Sequence, residues 1–184
     1  MTMLRRAALA AAAILTVGSL AACKKDTVVA KNESVESVAK KVAASDIKPQ
    51  PGRWESNMKL EKFDLPGLPP QAKAAMDKRM GVTQTFASCL TPEEASKPEG
   101  SFFQKGAENC KYDHFVMADG KLDAAMTCNE HNTQMKMAMA GTYSETEYNM
   151  HVKSQGEAQP GMPMTMEMTV ASHRVGDCNG TEEK

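Results

Sequence analysis

Aromatic side chains are scarce in this 184-residue chain: one Trp, three Tyr and five Phe, or 5% of its residues. Basic charge is not in excess either, with 22 Lys and Arg against 23 Asp and Glu. Together these shortages exclude the basic surface with interleaved rings that nucleic-acid binding requires. A long apolar run is also missing. The main one, Ala7 to Val17, is shorter than the about 20 residues needed to cross a bilayer, and Lys24, Lys25 and Asp26 follow soon after. No G-x-S-x-G elbow, H-E-x-x-H helix, glycine-rich phosphate loop or Walker-type sequence occurs, so the familiar hydrolase, metalloprotease and nucleotide-binding classes find no support. Asp113 and Asp123 fall on predicted outer strand faces and read as solvated charges rather than as catalytic acids.

What is present begins with an export signal. Arg5 and Arg6 form a positive start, an apolar stretch follows, and Leu20-Ala21-Ala22 leads into Cys23. A cysteine at that place resembles the lipobox of bacterial lipoproteins. The resemblance implies that residues 1–22 are removed, that Cys23 carries a diacylglyceryl group, and that two acyl chains hold the protein at a membrane surface without spanning it. Lys24, rather than Asp, implies sorting to the outer membrane, facing the periplasm. Removal of residues 1–22 takes Arg5 and Arg6 with it and leaves 20 basic residues against 23 acidic ones. The remainder is one domain's worth of chain.

Four further cysteines, Cys89, Cys110, Cys128 and Cys178, form an even set in an exported chain, which points to two disulfides with three possible connectivities. A metal or thiol site is the competing reading. The spacings include no C-x-x-C pair and are too wide for a zinc knuckle or a thioredoxin-like motif.

Residues 23–50 read as a flexible tether: polar, without aromatic residues, and ending in Pro49-Gln50-Pro51-Gly52. Ser34 to Ala44 can form a short helix with Val35, Val38 and Val42 on one face. Three valines make a thin stripe, and a solvated spacer is the favoured reading. The folded domain is then 51–184. Arg53 to Glu61 and Val82 to Leu90 read as strands, separated by a helix that opens at Pro69-Pro70, carries Ala72, Ala75, Met76 and Met80 on one face, and ends at Gly81. Thr91-Pro92-Glu93-Glu94 has the offsets of a capping box.

Between Cys110 and Cys128, Ala118-Asp119-Gly120 suits a three-residue hairpin loop. That loop sets Val116 opposite Leu122, His114 opposite Ala124, Tyr112 opposite Met126 and Cys110 opposite Cys128. Cys110–Cys128 is therefore the preferred bridge, and Cys89–Cys178 follows by elimination. Gln134 to Gly141, Tyr148 to Val152 and Met162 to Val170 continue the alternation, with a loop at Gln155 to Gly161. The fold class is mainly β (α+β): a curved antiparallel meander or partly closed barrel of about seven strands, one main short helix and two disulfides.

Methionine is the compositional oddity. Met135, Met137 and Met139 alternate along one predicted strand, and Met162, Met164, Met166 and Met168 along another. Thioethers are soft ligands that select Cu(I), with His131 and His151 as further candidates for such a site. Period two is equally how a strand presents a core face, and methionine fills irregular interiors well. A Met-lined cavity for an apolar ligand joins the two ideas.

Four short motifs recur in an order that resembles a known family: Pro51-Gly52-Arg53-Trp54-Glu55, Cys89-Leu90-Thr91-Pro92-Glu93, Thr127-Cys128 and Arg174-Val175-Gly176-Asp177-Cys178. They are similar to the landmarks of the DUF3617 family of exported bacterial proteins, over about residues 50–178. The resemblance implies an envelope-located, β-rich domain with paired cysteines, and it supplies no catalytic residue. The leading expectation is a non-enzymatic, lipid-anchored envelope protein without cofactor that binds a small apolar ligand or an envelope partner. The alternative is a periplasm-facing Cu(I) or Ag(I) binder that uses the seven methionines.

Overall fold

Alternation of side chains every second residue, broken by short turns, carries most of this chain into antiparallel ladders. The computed structural model describes residues 26–96, 107–130 and 133–182. Residues 1–22, expected to be a signal, together with Cys23 and His131, lie outside the described residues. The strands are β1 (Val28–Ser34), β2 (Gly52–Asp64), β3 (Thr83–Leu90), β4 (Cys110–Ala118), β5 (Lys121–Glu130), β6 (Thr133–Tyr143), β7 (Glu147–Gln159) and β8 (Met162–Gly176). Three helices accompany them: α1 (Val35–Ala44), α2 (Pro70–Asp77) and α3 (Pro92–Ser96). The strands form one sheet in the order β1-β4-β5-β6-β7-β8-β2-β3, open at the β1 and β3 edges among the described residues. The mainly β meander of the sequence reading is present, with one strand more than expected and without barrel closure.

The extra strand lies in the segment taken for a tether. β1 pairs with β4 and turns Val28 and Ala30 inward, each 4% exposed. Ser34 then caps α1, its Oγ accepting the Ser37 N–H at 3.2 Å, and Val35, Val38 and Val42 are all buried. Three valines suffice because the surface they meet is rich: Tyr112 and Phe115 of β4 and Leu122 of β5 belong to the same cluster. A helix judged in isolation underestimates its burial when the partner supplies the bulk. Ile47 packs on that cluster, and the Gln50 N–H donates to the Glu145 carbonyl at 2.7 Å. Residues 28–50 thus belong to the domain and are not a spacer.

The β4–β5 hairpin turns differently from expectation. Asp119 and Gly120 form a two-residue turn, both at positive φ (49° and 72°), with Ala118 paired to Lys121. A turn one residue shorter would invert one strand's faces, and a bulge between Tyr112 and His114 restores them. Below the bulge, Tyr112 opposes Met126 and Cys110 opposes Cys128; above it, Phe115 opposes Ala124 and Met117 opposes Leu122. His114 and Val116 consequently face solvent, where they were expected inside. The exchange puts Phe115 edge-on to Tyr112, with ring centroids 5.2 Å apart.

Disulfides join Cys110 to Cys128 and Cys89 to Cys178. The capping box holds α3: Thr91 Oγ1 accepts the Glu94 N–H at 3.2 Å, and the Glu94 carboxylate accepts the Thr91 N–H at 2.9 Å. The Thr91 N–H, and the Thr91 hydroxyl donating to the same carboxylate at 2.8 Å, hold the Glu94 carboxyl below its ordinary pKa. Gln155 to Gln159, expected in a loop, extends β7, and the turn shrinks to Pro160-Gly161. Gly81 has the positive φ of a helix terminator (73°) and donates to the Leu60 carbonyl, pinning the chain after α2 to β2.

Candidate functional site

Opposed residues in neighbouring strands share a face, so the ladders define a single inner face across the sheet. One row runs Ala124, Met139, Val152, Met168, Leu60; the next runs Met126, Met137, Ser154, Met166, Phe63. α1 and the segment that follows it lie over one end of this face and form the core there.

Between that cover and the sheet is a cavity of about 190 Å³. Val42, Ile47 and Pro49 form its roof, and Tyr112, Phe115, Leu122 and Met139 are among the residues of its floor. Trp54 and Leu90 close one side, and Glu94 and Ser144 are the polar-residue exceptions in a lining of aliphatic, aromatic and thioether side chains. Burial pushes the Tyr112 phenol up to about 12, and it raises the Tyr143 phenol as well. Both rings therefore stay neutral at ordinary pH. Trp54 is held rigidly: its indole N–H donates to the Gln50 carbonyl at 3.0 Å, and its ring stacks on Tyr148 at a centroid distance of 6.1 Å. Such a lining can desolvate an apolar group. It presents no nucleophile paired with a base.

The sequence-derived methionines divide. Met139 lines the cavity, whereas Met135, Met137, Met162, Met164, Met166 and Met168 lie along the inner face of β6 and β8, half-buried. His151 is on the opposite face, 4.0 Å from the Glu167 carboxylate, and does not join them. Among the described residues, no group of three or more His, Cys, Asp or Glu side chains could hold a metal ion. Sequence reasoning missed the cavity's roof, because Val42 and Ile47 sat in the supposed tether. The valine spacing of three and four was the signal that could have found it.

Three of the four motifs meet at one corner beside the cavity, whereas Thr127-Cys128 lies away from it on β5, where Cys128 is bridged to Cys110. Arg174 Nε donates to the Pro51 carbonyl at 2.6 Å and Nη2 to Asp177 Oδ1 at 2.8 Å. Gly52, at φ 140°, lies under that guanidinium; a Cβ there would stand 2.6 Å from Arg174 Nε and 2.3 Å from the Gly176 carbonyl oxygen. The Cys89–Cys178 bridge closes the same corner. A family model described as "protein of unknown function (DUF3617)" matches residues 49–178. The chain belongs to the DUF3617 family. No curated protein and no solved structure matches it. In this DUF3617 chain these three motifs form a clamp that holds the start of β2 to the end of β8, and through Trp54 and Leu90 they supply one wall of the cavity.

Proposed function

We propose that this DUF3617 protein is a non-enzymatic, lipid-anchored envelope protein that binds a small apolar ligand in the cavity beneath α1. The observation that carries the reading is the cavity itself, about 190 Å³ and apolar apart from Glu94 and Ser144. Apolar cavities of about 150 Å³ already accept benzene, whereas pockets for drug-sized ligands run to about 300–1,000 Å³. The fit is a single ring or a short acyl segment. Anchorage rests on the lipobox at Cys23, and an outer-membrane, periplasm-facing location rests on Lys24.

Trp54 is the only tryptophan and lines the cavity, so it reports on occupancy. Titration of the full chain with a brominated medium-chain fatty acid should quench Trp54 fluorescence saturably. Val42→Phe, which fills the roof, should abolish the quenching while the fold is kept. Absence of quenching in the wild type, or unchanged quenching in Val42→Phe, would overturn the reading.

A further inference from the structure

The seven methionines of β6 and β8 are not equivalent once the residues between them on β7 are considered. On the inner face β7 presents Met150, Val152, Ser154 and Gly156 in succession. Val152 fills the interval between Met139 and Met168. Ser154, 3% exposed, and Gly156 place only a hydroxymethyl group and a hydrogen there. Met137 and Met166 flank Ser154 in one row, and Met135 and Met164 flank Gly156 in the adjacent row. Gly156 admits no replacement, since a Cβ would stand 2.2 Å from the Gln134 carbonyl oxygen and 2.8 Å from the Met135 Cα.

Two strand spacings, about 9.5 Å, separate β6 from β8 at these two residues. An unbranched methionine with three rotatable bonds can lean toward the middle from either side, so the register allows four thioethers to converge over these two small residues. The charged neighbours Lys136, Lys153 and Glu167 project from the opposite face. Met162 lies beyond the register shift between Glu157 and Gln159, outside the group. A site bordered by thioethers, with no carboxylate or imidazole among the four residues, discriminates by softness and suits a monovalent d¹⁰ cation over Zn(II) or Ca(II).

We propose that Met135, Met137, Met164 and Met166 form a thioether site for Cu(I) above Ser154 and Gly156, separate from the apolar cavity that Met139 lines. Binding is a simple coordination step in which water or a carrier ligand leaves the ion. No electron is transferred.

The test uses the full chain carrying Cys23→Ser, which removes the one thiol outside the two disulfides. Cu(I) is titrated anaerobically against a chromogenic Cu(I) chelator, with Zn(II) in parallel. The protein should withdraw one Cu(I) and no Zn(II), and X-ray absorption of the complex should show a sulfur first shell. Met137→Leu and Met166→Leu should each weaken binding by at least about tenfold, the lower end of what even outer partners of metal ligands contribute. Met139→Leu and Met168→Leu should leave it unchanged. Failure of the wild type to compete, a nitrogen or oxygen shell, or equal affinity in Met137→Leu and Met166→Leu would overturn the site. Circular dichroism of each variant separates loss of the site from loss of the fold, and Trp54 quenching tests the apolar cavity independently.

Discussion

Val38 is the most completely buried large side chain described, at 0% exposure, and it lies in the segment whose composition resembles a spacer. Val38→Ala deletes two methyl groups, each worth about 0.8 kcal/mol on burial, and leaves a cavity term on top. The expected loss is about 2–3 kcal/mol. For a domain of this size that corresponds to roughly 4–12 °C in Tm. Val29, on the neighbouring β1 strand, is 59% exposed, and Val29→Ala should stay within about 0.5 kcal/mol. Urea unfolding with both disulfides intact, followed by far-UV circular dichroism, measures both variants against the parent. The midpoint should fall for Val38→Ala at an unchanged slope, since the same surface is exposed on unfolding. Equal midpoints for Val38→Ala and Val29→Ala would refute the placement of α1 in the core. Val38 does not line the cavity, so the parent's Trp54 quenching should survive in Val38→Ala wherever that variant is folded.

Removal of the Cys89–Cys178 bridge, which spans 89 residues, should cost about 4.6 kcal/mol on loop entropy, against about 3 kcal/mol for Cys110–Cys128, which spans 18. Paired Cys→Ser variants in chemical unfolding give the comparison, and the reverse order would count against the loop-closure account. Gly52→Ala should destabilise by at least about 2 kcal/mol through positive φ and collision with the Gly176 carbonyl, whereas Gly67→Ala, at φ 88° with open space around it, should show only the strain of about 1–2 kcal/mol; thermal melts that rank them equally would dismiss the clamp. Tyr112 is raised to about 12 in the fold, so the stability it contributes is complete below pH 10 and declines as the pH rises from 10 through 12, where the unfolded chain ionises first. Tyr112→Phe should flatten that decline in urea midpoints measured against pH, and an identical slope in the variant would remove Tyr112 from the account.

Much of the fold was legible because alternation is a local property. Met135 to Met139 and Met162 to Met168 announce their strands without reference to any partner, and Thr91 to Glu94 announces a helix start by its own hydrogen-bonding offsets. Cys110 opposite Cys128 emerged from a hairpin read with the wrong turn length, because the bulge at Asp113 cancels the one-residue difference before the cysteines are reached. Bulges follow from the packing of both faces and leave no local signature, which is why His114 and Phe115 exchanged sides. The β1–α1 segment was illegible for a related reason. Val35, Val38 and Val42 gain their burial from Tyr112, Phe115 and Leu122, some 70 to 90 residues away in the chain. The cavity needs that same long-range docking, so its floor could be guessed from strand alternation and its roof could not.

The early start of β1 sets how far the domain can stand from the anchor proposed at Cys23. A spacer running from Cys23 to Gln50 could have let the domain drift up to about 90 Å from the bilayer, whereas the five steps from Cys23 to Val28 reach at most about 18 Å when fully extended. With Cys23 lipidated as proposed, the β1 edge stays within a protein radius of the headgroups. On that proposal a cavity on so short a leash would sample molecules leaving or entering one patch of bilayer, and handing them to a partner would require the partner to come to the membrane.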